Sequence, residues 1–158
     1  MINIKLFESK QIRSAWIEQE QKWYFSVQDV VEALTASIDV KQYIKRIRSR
    51  DKALNTNWGT ICTPVEMVAG DGKKRKIQAA NTQGILRIIQ SIPSPNAEPF
   101  KLWLAQVGFE RLEEIENPEI ATQRTRDLYK QKGYPEDWIE KRMRSIAIRE
   151  ELTDERSR

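Results

Sequence analysis

Residues 22–35, KWYFSVQDVVEALT, predict a β-strand that runs directly into a helix. The aromatic residues at the start of the stretch favour a strand. Ser26 stands at the junction and suits a helix N-cap, and Asp29 places a carboxylate near the positive end of that helix. The apolar residues that follow recur at the spacing of one helical face: Val27, Val30, Val31 and Leu34. Strands and helices are therefore expected to share one core.

Two shorter segments lie before this stretch. NIKLF, at 3–7, and IRSAWIE, at 12–18, are rich in β-branched, aromatic or other apolar residues and are separated by polar residues. Together with KWYFS, at 22–26, they predict a small antiparallel meander.

Residues 40–52, VKQYIKRIRSRDK, predict a second helix, which Asp39 caps. A rotation of 100° per residue places the apolar side chains of Val40, Tyr43, Ile44 and Ile47 on one arc of the helix, which can dock on a core. The polar side chains surround this arc. Lys41, Lys45, Arg48 and Lys52 form one basic stripe, Arg46 and Arg50 lie on the other flank, and Gln42 and Ser49 point outward. With the helix before it, this helix resembles a helix-turn-helix unit in outline.

The distribution of charge bears on what this basic helix does. Residues 41–80 carry ten basic and three acidic groups (net +7), residues 1–40 four and six (net −2), and residues 81–158 thirteen and fourteen (net −1). A solvated helix face usually mixes both signs, whereas a concentrated basic block is typical of a polyanion-binding surface. A solvated face and a phosphate-binding face both stay open as interpretations, and the near absence of carboxylates favours the second.

A hairpin is predicted from two strand-like segments, at 58–69 and 73–80, that are joined by GDGK. Asp71 and Gly72 suit the positive φ of a tight turn. The returning strand begins with four basic residues, which form an exposed tip: Lys73, Lys74, Arg75 and Lys76. The tip is either a wing that contacts a phosphate backbone or a set of lysines that protects an edge strand from aggregation, and the two interpretations are equally supported.

The rest of the chain predicts helices. Asn81 caps a helix at 82–92, a proline-rich loop follows at 93–99, and a longer helix runs to residue 115. Its buried side is predicted to comprise Phe100, Trp103, Leu104, Val107, Leu112 and Ile115. Two more helices are expected at about 118–132 and 135–151, with a frayed tail, TDERSR.

The order of these segments resembles the Bro-N domain of baculovirus repeated-ORF proteins, prophage antirepressors and DNA-damage-inducible D proteins. The resemblance covers about residues 5–115 and rests on KWYFSVQDVVEALT, the basic helix, the hairpin and NTQGILRIIQSIPSPNAEPFKLWLA. It implies an α+β fold, here a small antiparallel meander and hairpin with packed helices. It also implies DNA binding and no enzymatic activity. The family supplies no defined set of DNA-contacting residues, so the candidate residues named above come from charge and spacing.

These segments predict a Bro-N-like DNA-binding domain at 1–115 and a helical extension at 116–158. The last helix has Ile139, Met143, Ile146 and Ile148 near one side. Packing of this side within its own chain is favoured, and a homodimer surface is the alternative.

Several function classes are disfavoured by composition. The chain has no histidine, so a His-based catalytic pair or a His-ligated metal is unavailable, and the single cysteine, Cys62, can form neither an internal disulfide nor a zinc cluster. No phosphate-binding glycine loop occurs, and neither a cofactor nor a metal is expected. Without a signal peptide or a membrane-length apolar run, a cytoplasmic protein is expected.

The sequence therefore predicts a regulator that binds double-stranded DNA, similar to prophage antirepressors or DNA-damage-response proteins. The alternative is a protein-interaction module that binds a repressor or another protein without contacting DNA.

Overall fold

The computed structural model describes residues 11–157, so the predicted strand at 3–7 lies outside the described residues. The fold is α+β, as predicted, with four strands and seven α-helices in the described part of the chain. A short 3₁₀ turn, Pro95–Ala97, precedes the fifth helix. The elements in chain order are β1 Ser14–Ile17, β2 Lys22–Ser26, α1 Val27–Thr35, α2 Val40–Arg50, α3 Lys52–Ile61, β3 Cys62–Val68, β4 Lys74–Asn81, α4 Thr82–Gln90, α5 Glu98–Glu116, α6 Glu119–Gln131 and α7 Glu136–Ser157.

The four strands form one antiparallel sheet in the order β1-β2-β4-β3. The two described strands of the predicted meander, β1 and β2, and the predicted hairpin are parts of this sheet because β4 pairs with β2, which places Phe25 opposite Ala80. Both of these side chains join the main core, which the helices complete. The other face holds a smaller cluster of Tyr24, Val65, Met67 and Ala79. The sheet curls, and β1 thereby approaches β3.

Three of the predicted helix starts are confirmed by their caps. The Ser26 hydroxyl accepts a hydrogen bond from the Asp29 amide at 3.2 Å, and the Asp39 carboxylate accepts one from the Gln42 amide at 3.1 Å. Asn81 accepts in the same way from the Gly84 amide at 2.9 Å. These bonds satisfy amides that have no partner within the helix, so each helix begins where its cap stands.

The predicted end of the basic helix is wrong. The basic helix ends at Arg50, and residues 52–61, which were assigned in part to the hairpin, form the separate helix α3. Asp51 separates the two helices, because its carboxylate accepts a hydrogen bond from the Leu54 amide at 3.0 Å and caps α3. Leu54 and Trp58, four residues apart, are both buried on one face of α3. Lys52 is consequently the first residue of α3 and not the last of the basic stripe.

The chain divides into two compact units at residues 105 and 106. In the first unit, Phe100 is buried and Trp103 and Leu104 pack against the core, as predicted. In the second unit, Ile139 is the one large apolar side chain that is buried among the described residues. The predicted buried side of α5 also included Val107, Leu112 and Ile115. These side chains are 39, 64 and 60% exposed, so their predicted burial is wrong. Helical spacing identifies an apolar face but not whether another element covers it.

Inside the second unit, α6 and α7 pack through a cluster of three aromatic rings, Tyr129, Tyr134 and Trp138. Arg124 donates hydrogen bonds to the carboxylates of Glu113 and Glu114. The last helix extends beyond its predicted end at residue 151, since α7 continues to Ser157. No helix in the described range has both the length and the apolar character needed to cross a membrane.

Candidate nucleic-acid interface

The predicted apolar arc of α2 docks this helix on the core. Val40 and Ile47 are buried, and Tyr43 and Ile44 pack partly against the same cluster. The basic side chains on the rest of the helix surface are therefore presented to solvent from a fixed backbone. This part of the interpretation of residues 40–50 is confirmed.

The C-terminal end of α2 is fixed by a polar network around Asp51. Besides capping α3, the Asp51 carboxylate accepts hydrogen bonds from the Ser91 hydroxyl at 2.6 Å and from the Arg87 guanidinium at 3.1 Å. The hydrogen bonds from Ser91, the Leu54 amide and Arg87 lower the pKa of Asp51 to about 2. The network thus ties the junction of α2 and α3 to α4 and its end.

The predicted hairpin joins β3 to β4. The Ala69 amide donates to the Lys73 carbonyl at 2.7 Å, and the Gly72 amide donates to the Ala69 carbonyl at 3.0 Å. Gly72 has a φ of 82°, which glycine adopts without strain. Asp71 does not share this conformation. It instead accepts from the Lys73 amide and forms an ion pair with Arg75. Lys73 belongs to the turn, and β4 begins at Lys74.

The helix and the hairpin together line one cleft of about 520 Å³. Six basic residues line it, which we call the basic groove: Lys41, Lys45 and Arg48 on α2, Arg75 and Lys76 on β4, and Arg13. The two basic blocks of the sequence, which are more than twenty residues apart, therefore meet at a single surface. A concave surface with one sign of charge concentrates its field and attracts a polyanion.

The arginines of the groove are engaged within the protein. The Arg48 Nε donates to the Asn55 Oδ1 at 2.9 Å, and its guanidinium lies 4.8 Å from the centroid of the Trp58 ring. Arg75 is paired with Asp71. In the described part of the chain, no ion pair engages Lys41, Lys45 or Lys76. These lysines are the groove charges that are available to a ligand.

Arg13 was missed by the sequence interpretation. Its guanidinium donates two hydrogen bonds to the Asp29 carboxylate, at 2.7 and 2.8 Å, and one to the Val68 carbonyl at 3.1 Å. Burial by itself raises the pKa of Asp29, but the hydrogen bonds from Arg13 outweigh it and hold that pKa below its ordinary value. Arg13 links α1 to the end of β3 at the edge of the groove. An isolated arginine in a strand-like segment gives no sequence signal of this role.

The other candidate residues lie outside the groove. Arg46 and Arg50 are exposed on the opposite flank of α2, where Arg46 stands 6.0 Å from the centroid of the Tyr43 ring. Gln42 is exposed on the outer side of the helix, and the Ser49 hydroxyl donates to the Lys45 carbonyl at 3.0 Å. Three of the predicted basic residues are placed elsewhere: Lys52 on α3, Lys73 in the turn, and Lys74 in a neighbouring cleft beside Arg13.

The single cysteine is not placed for reactivity. Cys62 is buried, and this burial raises the pKa of its thiol to about 12. Among residues 11–157, no group of three or more His, Cys, Asp or Glu side chains is arranged to hold a metal ion.

A comparison with known protein families identifies a family for this chain. The model of the BRO family N-terminal domain, Bro-N, matches residues 11–110. The chain belongs to the Bro-N family. No curated protein and no solved structure matches the chain significantly. The resemblance predicted from the sequence is thereby confirmed, and Bro-N domains are associated with phage antirepressors and other DNA-binding regulators. In this Bro-N chain, both walls of the basic groove fall within the matched residues.

Proposed function

We propose that this Bro-N protein binds double-stranded DNA through the basic groove. The observation that carries the proposal is the convergence of α2 and the β3–β4 hairpin on one cleft, with three lysines that no ion pair engages among the described residues. Lysine is a compact point charge with little directional demand, so it suits contacts to phosphates in any sequence. The expected complex is therefore dominated by backbone contacts.

The two walls suit different parts of a duplex. The outer surface of α2, where Gln42 is exposed, can enter a major groove, since a helix fits that groove and its polar side chains reach base edges. The hairpin, with Lys76 beside the helix, then lies against the adjacent phosphates. Phosphate contacts position the protein, and the helix supplies what sequence preference there is.

We assign the protein to the regulators of this family, as a cytoplasmic prophage antirepressor or a DNA-damage-response protein that acts by binding and without catalysis. The competing function is a module that captures a repressor or another protein without touching DNA. Both functions need an exposed basic face, and they differ in ionic-strength dependence, because each phosphate contact releases condensed counterions.

The decisive experiment titrates the protein against duplex DNA at several salt concentrations. Lys41→Ala/Lys45→Ala/Lys76→Ala is compared with Lys130→Ala/Lys132→Ala/Lys141→Ala, which removes the same charge from the second unit. The groove variant is expected to bind every sequence more weakly and to flatten the slope of log K against log salt by roughly 2 to 3 units. The matched control keeps the slope of the parent.

Two results count against the proposal. A folded groove variant with the affinity and slope of the parent removes the groove from the DNA interface. A parent protein that binds no duplex at low salt favours the protein-capturing alternative.

A further inference from the structure

Two exposed tryptophans lie on the β1–β2 hairpin, away from the basic groove. Trp16 and Trp23 are directly opposite each other in the strand register and are 43 and 51% exposed. Their ring centroids are 5.6 Å apart in an edge-to-face arrangement. Cross-strand packing accounts for the contact between the two indole rings. It does not account for the large part of each ring that remains exposed to solvent. Tryptophan is enriched at the energetically dominant positions of protein interfaces.

Carboxylates accompany these rings. The Glu18 carboxylate accepts hydrogen bonds from the Trp16 indole at 2.7 Å and from the Gln21 side-chain amide at 2.9 Å. The bond from Trp16 has the larger effect, and together with the bond from Gln21 it lowers the pKa of Glu18, so the carboxylate stays ionised. Glu20 is hydrogen-bonded to the Tyr24 hydroxyl, and this bond raises the pKa of the tyrosine. Lys22 is the one basic residue between Trp16 and Trp23, and the stretch is net acidic.

Two adjoining clefts extend this surface along the start of α4. One, of about 300 Å³, is lined by the tryptophan pair, and the other, of about 1030 Å³, is lined by Glu20 and Glu66. Asn81 and Gln83 line both clefts, so the two clefts share a boundary at the start of α4. Arg87 also reaches the larger cleft, but its charge is engaged by Asp51. Lys22 lies in the cleft of the tryptophan pair, so the negative charge of the surface comes from Glu18 beside Trp16 and from Glu20 and Glu66 in the larger cleft. A docked chain segment would find aromatic area at one cleft and negative charge beside it.

We call the surface formed by Trp16, Trp23, Glu18 and Glu20 the aromatic–acidic surface. We infer that it binds a basic segment of a protein partner, in which arginine or lysine alternates with apolar side chains. An arginine can stack on an indole face while donating to a neighbouring carboxylate, and Trp16 with Glu18 offers both. Phosphates are disfavoured here, because they would meet Glu18 and Glu20. The residues that line these clefts do not overlap with those of the basic groove, so the two surfaces can be occupied at the same time.

The test uses two labelled peptides, one alternating arginine with leucine and the other alternating glutamate with leucine, followed by fluorescence anisotropy. The full chain is expected to bind the arginine peptide at least tenfold more tightly, about 1.4 kcal/mol. Trp16→Ala/Trp23→Ala is expected to lose at least tenfold of that affinity. Leu102→Ala removes an equally exposed apolar side chain, 63% exposed on α5, and serves as the matched control with parent affinity.

A second variant covers the case in which the tryptophan variant fails to fold. Glu18→Gln/Glu20→Gln keeps the rings and is expected to reduce the preference for arginine over glutamate to about threefold or less. Arginine-peptide affinity that survives in either folded variant overturns the inference. So does a tryptophan variant that loses binding to oligothymidylate but keeps the peptide, since the rings then stack on bases. The groove variant Lys41→Ala/Lys45→Ala/Lys76→Ala is expected to keep peptide binding, so failure of the DNA proposal remains distinguishable.

Discussion

In the helix wall of the basic groove, formed by α2, Arg48 is stacked on Trp58 and hydrogen-bonded to Asn55. In the hairpin wall, formed by β4, Arg75 is paired instead with a turn carboxylate, Asp71. Each wall thus uses its arginine within the fold and leaves its lysines for a ligand. The two arginines nevertheless differ in their contacts. Arg48 lies over the ring of Trp58, which is buried in the core, whereas Arg75 forms an ion pair within an exposed turn.

The walls also differ in how they are anchored. The helix wall is held by buried Val40 and Ile47 and by the Asp51 network at its end. The hairpin wall is held by strand pairing, and its side chains from Lys73 to Lys76 are exposed. We therefore expect the helix wall to set the position of a bound duplex and the hairpin wall to add attraction from the side.

The largest expected effect comes from reversing one charge on each wall. Lys45→Glu/Lys76→Glu converts attraction to repulsion at both sides of the groove and should lower duplex affinity at low salt by about a hundredfold, about 2.7 kcal/mol. Fluorescence anisotropy with random-sequence duplex measures this loss. The thermal midpoint should change little, because both side chains are exposed.

The two single reversals test the comparison itself. If both walls contact DNA, Lys45→Glu and Lys76→Glu each weaken binding by roughly tenfold. If Lys76→Glu leaves duplex affinity unchanged, the hairpin lysines serve only to protect an edge strand from aggregation. For the double variant, Lys132→Glu/Lys141→Glu makes the same change of net charge in the second unit and is the matched control; for each single variant, Lys132→Glu alone is the matched control.

Arg48 is expected to contribute more to stability than to DNA binding. Arg48→Ala removes the stacking on Trp58 and the hydrogen bond to Asn55, and should lower the free energy of unfolding by roughly 1 to 3 kcal/mol in urea denaturation. Arg48→Lys keeps the charge and should retain duplex affinity while losing part of the stability. Lys45→Ala, on the same helix, should stay within about 0.5 kcal/mol of the parent. Equal stability of Arg48→Ala and Lys45→Ala would contradict the assigned role.

Much of the first unit could be predicted from the sequence because its signals are local. The caps Ser26, Asp39 and Asn81 act on amides three residues ahead, and the apolar arc of α2 repeats within three turns. The hairpin follows from Gly72, whose φ few other residues adopt easily. In the candidate site, the basic stripe and the basic tip could both be found in the same way.

What could not be predicted depends on contacts distant in sequence. The helix α3 forms where a polar connection and the start of a strand were expected, because Asp51 caps it and Trp58 is buried on the core. Arg13 reaches the groove only because the curl of the sheet brings β1 close to β3, and because Asp29 on α1 holds its guanidinium there. The meeting of the two basic blocks is likewise a product of tertiary packing.

Asp51 should make the anchoring of the helix wall depend on pH. Its folded pKa of about 2 is below the ordinary value of about 3.9, so its carboxylate form stabilises the native state. This contribution is complete above about pH 4 and is lost as pH falls towards 2. In thermal melts between about pH 4 and pH 2, the midpoint temperature of Asp51→Asn should therefore fall less steeply with decreasing pH than that of the parent.

A second cap variant separates capping from anchoring. Asp39→Asn replaces a cap whose carboxylate bonds the Gln42 amide, and asparagine caps about as well as aspartate. At neutral pH, Asp39→Asn should therefore keep the thermal midpoint of the parent, whereas Asp51→Asn should lower it. If Asp51→Asn keeps the midpoint as well, the bonds to Arg87 and Ser91 do not link α2 to α4 in solution.

The smallest expected effect concerns sequence preference, which only the helix wall should supply. Gln42 and Ser49 both lie on the outer side of α2, but the Ser49 hydroxyl already donates to the Lys45 carbonyl. A free glutamine amide can pair bidentately with adenine, so Gln42→Ala should reduce discrimination at one base pair by about 1 kcal/mol and change affinity for random duplex less. Ser49→Ala is the matched control and should leave the preference unchanged. A selection from randomised duplexes, followed by binding curves on the preferred site and its single mismatches, measures both. Should Gln42→Ala weaken specific and random duplex equally, Gln42 is a positioning contact, and the helix wall differs from the hairpin wall in anchoring alone.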